Sequence, residues 1–300
     1  MAVTMKDVAK AAGVSPATVS FVLNETTGQS LRADTIERVR QAAASLGYTP
    51  NRIARALREG SSRLVLLRAG QLRGSGLSSL ISGLQDELRK YGHTLIVTYA
   101  DSGDDDLLTA LSPRRVLDLN QPRQPGFTTA GDGGWEAQMA RHTATQIEYL
   151  LAKGHRNIAF ACPTGGLLVE MRTTHVKQFA ELAGLPSPAL LVLPDDQGSA
   201  LSVVAGTRRR HPEVTAIATF SDHEAIRLLA ILNTLRVRVP DDLAVIGFDE
   251  DEVGALWTPA LTTVKIDAES YGRRMARVAL GLADEPWQRQ PSTVIVRQSA

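Results

Sequence analysis

Apolar positions follow a helical period through the first 47 residues. From residue 63 onward the rhythm changes to short apolar runs alternating with longer amphipathic stretches. Thr4 is placed to cap a first helix, with Asp7 three residues on as a capping-box-like carboxylate. Gly13 permits a tight turn that a β-carbon would obstruct. Ser15 is a good N-cap, and Pro16 stands at the first helical position, where its missing N–H costs nothing. Val19, Val22 and Leu23 then share one face at i, i+3, i+4. With side chains turning helically around the axis, Ala17 and Phe21 point away from that face, and Thr18 and Ser20 flank it. A third helix is predicted over 34–46, with Ile36, Val39, Ala43 and Leu46 as its apolar stripe and Gly47 as its end.

In the second region the apolar runs predict strands at 64–67, 94–99, 116–119, 157–161, 190–193, 216–219 and 244–247. Helices are predicted at 77–91, 137–153, 176–183, 200–210, 223–235 and 270–282. Repeated βα units argue for parallel sheets covered by helices on both faces. There are too many for one small sheet, so two Rossmann-like subdomains are expected. One stretch departs from the rhythm. Between Tyr99 and Trp135 only a single strand is predicted, followed by a polar loop rich in Pro and Gly.

A chain of 300 residues exceeds one typical domain, and 43% hydrophobic residues suffice for real cores. The net charge of +1 is uneven. Residues 1–60 carry eight Lys/Arg against five Asp/Glu, and the remainder 25 against 27, so the basic excess lies in the N-terminal helices. It is modest, which predicts salt-sensitive but not purely electrostatic binding to a polyanion. The single cysteine, Cys162, excludes an intrachain disulfide and a multi-cysteine metal site; at the end of an apolar run it reads as an inert core thiol. The six histidines show no metal-ligand spacing, and no phosphate-binding glycine loop or nucleophile–base set stands out. No cofactor and no enzymatic activity are therefore expected. No signal peptide or membrane-length apolar run is found, so the chain is expected to be soluble, cytoplasmic and without a membrane partner.

The short second helix after a tight turn reads as a helix-turn-helix that sets a helix in the DNA major groove. The words Lys6-Asp7-Val8-Ala9, Ala12-Gly13-Val14-Ser15, Ala17-Thr18-Val19-Ser20 and Val22-Leu23-Asn24 resemble the N-terminus of the lactose-repressor (LacI/GalR) family of bacterial transcription regulators. So do Glu37-Arg38-Val39, Leu46-Gly47-Tyr48-Thr49-Pro50-Asn51 and Ala54-Arg55-Ala56-Leu57. Further on, Leu151-Ala152-Lys153-Gly154-His155-Arg156-Asn157, the stretch from Val237 to Asp249, and Pro259-Ala260-Leu261-Thr262-Thr263-Val264 are similar to the family's effector domain, which shares the fold of periplasmic binding proteins. Three parts are implied: an all-α DNA-binding domain at 1–47, a hinge helix and linker at 48–62, and an effector-binding and dimerisation domain at 63–300. Chain crossings between subdomains are expected near 130–134, 263–267 and 283–291.

What the resemblance implies is a homodimeric regulator, a repressor, bound to double-stranded operator DNA of pseudo-palindromic sequence and modulated by a small-molecule effector of unknown identity. The implied DNA-contacting residues are Thr4, Ser15, Pro16, Ala17, Thr18, Ser20, Phe21 and Asn24 in the first two helices and the loop after them. Thr35, Tyr48, Asn51, Arg52, Ala54 and Leu57 complete the set, with Leu57 as the side chain that wedges into a base step. Arg32 takes the place of the family's usual Ser cap. The implied effector residues are Arg172, His175, Ser221, Asp222 and Asp249. Ser221 and Ile266 stand where the family usually has an Asn and another polar residue, so a simple sugar is a poor expectation. Two other readings compete: a small-molecule-binding module without DNA-binding activity, against which the hinge word argues, and an enzyme on a Rossmann-like sheet.

Overall fold

The computed structural model describes residues 3–23, 31–48, 62–70, 72–99, 105–120, 134–282 and 291–300. The chain divides into two compact units, Met1–Ser62 and Arg63–Ala300.

The first unit holds α1 (Met5–Ala12), α2 (Pro16–Leu23) and α3 (Ala33–Ser45). The Asp7 carboxylate accepts from Thr4 N at 2.8 Å and Thr4 Oγ1 at 2.6 Å, so the first turn is closed by the expected pair. Gly13 ends α1 at φ +66°, a conformation glycine adopts without strain. Ser15 caps α2 by accepting from Thr18 N at 3.1 Å. The three helices meet on Val8, Val19 and Val39, each fully buried, with Val22, Ala42 and Ala43 around them. Leu46 departs from the expected stripe. It lies at the C-cap, beyond the last helical turn, and is 37% exposed, while Ala42 takes its place in the core. The Arg32 cap position of α3 has no side-chain hydrogen bond.

The second unit alternates strand and helix. Its first half contains β1 (Leu64–Arg68), α4 (Ser75–Lys90), β2 (Thr94–Thr98), α5 (Asp105–Leu111) and β3 (Arg115–Asp118). These strands form a parallel sheet in the order β2-β1-β3, with Val65 opposite both Leu95 and Arg115. Then follow α6 (Gly134–Ala152), β4 (Ile158–Pro163), α7 (Leu167–Leu182), β5 (Ala189–Leu193), α8 (Gln197–Arg210), β6 (Ala216–Thr219), α9 (Asp222–Thr234) and β7 (Ala244–Ile246). Their strands make a second parallel sheet, β5-β4-β6-β7. The chain continues through α10 (Glu252–Leu256), β8 (Thr263–Lys265), α11 (Ala268–Leu280) and β9 (Thr293–Ile295), with β8 and β9 antiparallel.

Between β8 and α11 the chain passes from one half to the other. Val264 packs in the core of the second half, and Ala268 in that of the first, which matches the crossing expected at 263–267. The crossings expected near 130–134 and 283–291 fall almost entirely outside the described residues. α11 lies against α4 at backbone contact distance. A β-carbon on Gly83 would strike the Glu269 carbonyl, and one on Gly272 would strike the backbone of Leu80 and Leu84. Two glycines in two helices thus set the closeness of the crossing.

Helix α7 begins nine residues before the predicted start at 176. Its buried positions are Leu168, Val169, Arg172, His175, Val176 and Ala180, an ordinary helical stripe that two polar residues interrupt in sequence. Helix α5 lies in the stretch where only a single strand was predicted, so a helix precedes that strand there. Helix α10 and strands β8 and β9 are three to five residues long, too short for periodicity to register.

Candidate nucleic-acid interface and inter-subdomain cleft

Burial of Val19 and Val22 fixes which side of α2 remains outside. Pro16 and Ala17 are exposed, and Thr18, Ser20 and Phe21 are partly so. Ser15 Oγ and Thr18 Oγ1 lie 2.9 Å apart at the helix start, which holds both hydroxyls in place on the outer face. Thr4 is exposed beside Asp7, whose carboxyl the Thr4 hydrogen bonds hold below its usual range. Thr35 is partly exposed and donates to Asp34 at 3.3 Å. Tyr48 packs its ring against the three-helix core. A small helix with hydroxyls, one aromatic and no acidic residue on its open side fits a groove lined by base edges and phosphates. Asn24, Asn51, Arg52, Ala54 and Leu57 lie outside the described residues.

In the second unit a cavity of about 80 Å³ lies between the two halves. Leu77, Leu80 and Leu119 of the first half face Phe220 and Phe248 of the second, with Ile266 of the crossing segment beside them. Arg172, Ser221 and Asp249, three of the residues expected to hold an effector, also line it.

Asp249 has φ +92° and Glu250 φ +55°, a left-handed pair that turns the chain after β7. The turn brings the Asp249 carboxylate to the start of α4. It accepts from Ser75 Oγ at 3.2 Å, Gly76 N at 3.3 Å and Asp222 N at 3.5 Å, and the Asp249 carbonyl accepts from Ser75 Oγ at 3.1 Å. A carboxyl of the second half is thereby tied to a helix N-terminus of the first. Burial, reinforced by the nearby Asp222 charge, pushes Asp249 up to about 8.

Arg172 is 1% exposed. Its guanidinium donates to the Phe220 carbonyl, to Gln146 Oε1 at 2.8 Å, to Thr143 Oγ1 at 3.4 Å and to the Thr219 carbonyl at 3.5 Å. Its face sits 3.6 Å from the Phe248 ring centroid. Burial lowers its pKa to about 9, which leaves it charged at neutral pH. Ser221 caps α9, accepting from His223 N at 3.2 Å, and donates to Glu224 Oε2.

The other two expected effector residues lie elsewhere. Asp222 is fully buried, and its oxygens accept from Thr263 Oγ1 at 2.5 Å and Asp251 N at 2.7 Å. It pins β8 and α10 to α9 and does not line the cavity; burial raises it to about 6. His175 is buried on α7, also off the cavity lining, with no hydrogen-bond partner for Nδ1 among the described residues and its pKa lowered by burial. Sequence reasoning missed Ser75 and Gly76. It also missed Gln146, whose amide donates to the carbonyls of Thr219, Ile246 and Gly247. A signal for the last was present: Gln138, His142 and Gln146 recur every fourth residue along α6, and all three are buried. His142 is pushed down to about 4 by burial, and neither ring nitrogen has a hydrogen-bond partner among the described residues. Cys162 is buried and its thiol is raised to about 11, an unreactive state. Among the described residues no group of three metal-ligating side chains occurs, and no helix is long and apolar enough to cross a membrane.

A groove-sized helix on a three-helix unit, joined to an α/β unit with a cavity between two parallel sheets, defines a DNA-binding regulator with a ligand-binding module. Comparison with known proteins agrees. Residues 4–51 match the family model described as bacterial regulatory proteins, lacI family, and residues 147–300 match the periplasmic binding protein-like domain. The HTH-type transcriptional repressor PurR of Vibrio atlanticus is 27% identical over 308 residues, covering 92% of this chain and 91% of the relative. The HTH-type transcriptional regulator GalR of Escherichia coli is 27% identical over 319 residues, covering 94% and 89%. The lac repressor dimer bound to operator and the anti-inducer ONPF has the same fold, with a TM-score of 0.75 at 23% identity over 100% of this chain and 99% of that one. The chain belongs to the lacI family of bacterial regulatory proteins. It is a DNA-binding transcriptional regulator, not an enzyme.

Proposed function

We propose that the protein is a cytoplasmic repressor that binds a pseudo-palindromic operator as a homodimer, and that a small molecule in the cavity of the second unit modulates this binding. The observation that carries the reading is the split of α2, with Val19 and Val22 buried and Ala17, Thr18, Ser20 and Phe21 left open. One such helix reads one half-site, so a two-fold dimer reads two in inverted order. The hinge expected at 48–62, with Asn51, Arg52, Ala54 and Leu57, would add the contacts at the operator centre. Relatives named as repressors, and a fold neighbour crystallised as a dimer on its operator, support the same reading.

Selection of sites from a random oligonucleotide pool with the full chain tests it, together with sedimentation of protein and complex. Two inverted half-sites and a dimer on DNA are expected. Recovery of a single half-site bound by a monomer would overturn the dimeric reading, and no enriched site would overturn DNA recognition itself.

A further inference from the structure

The polar groups on the wall of the cavity are committed to the protein itself. Ser221 bonds Glu224 and the His223 amide. Asp249 bonds Ser75, Gly76 and the Asp222 amide. The Arg172 guanidinium is taken by two carbonyls, Gln146 and Thr143, and one of its faces by Phe248. The rest of the wall is hydrocarbon, led by Leu77, Leu80, Leu119, Met139 and Ile266. A sugar carries a hydroxyl on nearly every carbon. Each would leave water for this wall and find no partner there. The space is also small: about 80 Å³, against the roughly 150 Å³ of an engineered apolar cavity that holds benzene.

One cation on the lining remains available. Arg73 is exposed, its Nη1 donates to the Leu72 carbonyl at 2.7 Å and the Gly70 carbonyl at 3.3 Å, and its guanidinium lies 5.0 Å from the Tyr99 ring centroid. Nε and Nη2 have no bond among the described residues, and Arg73 is part of the cavity lining, so its guanidinium has donors left for an anion there.

We infer that the cavity takes a small monocarboxylate with a compact hydrocarbon body, its carboxylate held at Arg73 and its body among Leu77, Leu80, Leu119 and Ile266, in place of a sugar. This rests on reading the cavity as the regulator's ligand site. The chemistry has two parts that act separately: the apolar wall selects against hydroxyls, and the Arg73 guanidinium, whose donors are not all engaged among the described residues, selects for a negative charge.

The test uses the full chain and three probes, propionate, isobutyrate and isovalerate, against their neutral amides and against glucose and ribose. Thermal unfolding and titration calorimetry are the readouts. At saturation a carboxylate should raise Tm by about 5–10 °C, its amide by less, and the sugars not at all. Arg73→Gln, a change at an exposed side chain, should weaken the carboxylates by about tenfold and bring acid and amide to parity. Stabilisation by glucose or ribose, silence of all three carboxylates, or equal carboxylate binding by Arg73→Gln would each overturn the inference. Site selection with the same protein separates this result from the regulator reading: carboxylate binding without any enriched DNA site would sink the regulator and keep the ligand.

Discussion

Arg172 offers a test of whether the cavity wall is a ligand contact or a keystone of the second unit. Replacing it with Met keeps most of the volume and removes the guanidinium. The Thr219 carbonyl would still accept from Gln146 at 3.0 Å, and Thr143 Oγ1 would still donate to the Met139 carbonyl at 2.8 Å. Two acceptors would be left without a donor: the Phe220 carbonyl and Gln146 Oε1. Each buried orphan costs about 1–3 kcal/mol. Part of this is offset, because Arg172 is a buried cation whose desolvation disappears with it. The contact of its face with Phe248 is lost as well. A net loss of about 2–4 kcal/mol follows, which for a unit of this size lowers Tm by roughly 5–15 °C. Arg172→Lys should fall in the same range, since a single ammonium cannot reach both the Phe220 carbonyl and Gln146. The assay is thermal unfolding without ligand, followed by circular dichroism. A Tm within about 2 °C of the parent for Arg172→Met would refute the reasoning and return Arg172 to the role of a ligand contact.

Three further outcomes are expected. The folded Asp249 titrates near 8 and the unfolded one near 3.8, so between about pH 4 and 8 the folded state keeps a proton that the unfolded state has released, and stability falls as pH rises through that window. Asp222, raised to about 6, adds to the lower part of the same window. Asp249→Asn, still an acceptor for Ser75 and Gly76, should therefore flatten the upper part; urea melts near pH 6 and near pH 8 that differ as much in the variant as in the parent would contradict it. Val39→Ala removes two methyl groups from the fully buried centre of the three-helix unit and should cost about 1.5–3 kcal/mol; helicity and DNA binding should be lost at a lower temperature, and an unchanged melt of the first unit would argue against the core as drawn. Phe21→Arg on the open side of α2 should move the preferred base at one position per half-site, from an apolar contact with a thymine methyl toward a bidentate contact with guanine; an unchanged selection profile would remove Phe21 from the interface.

Most of the fold is legible in the sequence, because burial and periodicity coincide in most elements. Val19 and Val22 repeat at helical spacing and are the positions the core covers; the run at 216–219 is a strand with every residue buried. Legibility fails where a buried position is polar. The early turns of α7 bury Arg172 and His175, and α6 buries Gln138, His142 and Gln146. Of these, Arg172 and Gln146 sit in the interior because backbone carbonyls at strand ends need donors there, a demand set by the tertiary arrangement and invisible to a window of neighbours. The site was legible by residue type and less so by role. Ser221, Asp249 and Arg172 were singled out and do line the cavity, but Asp222 and His175 do not, since which way a side chain turns depends on partners such as Thr263 and the Asp251 amide, far off in sequence. Ser75 and Gly76 carried no signal, because a serine and a glycine at a helix start are ordinary caps until a carboxylate arrives from across the cleft.

Two aspartates of the second half serve the protein's own backbone: Asp222 holds the Asp251 amide, and Asp249 holds the Gly76 amide across the cleft. Loss of either would leave buried donors unpaired. Ile266 lines the cavity with an apolar side chain. Ile266 also packs against the cores of both halves, so its apolar side chain serves the fold and at the same time leaves the space without a hydrogen-bond partner at that point. Substitutions at these positions therefore act differently. A change at Asp222 acts first on folding, through the α9, α10 and β8 junction. A change at Ile266 touches both the packing of the two cores and the ligand space, whereas a change at Arg73, whose hydrogen bonds run to Gly70 and Leu72 in its own loop, acts on binding.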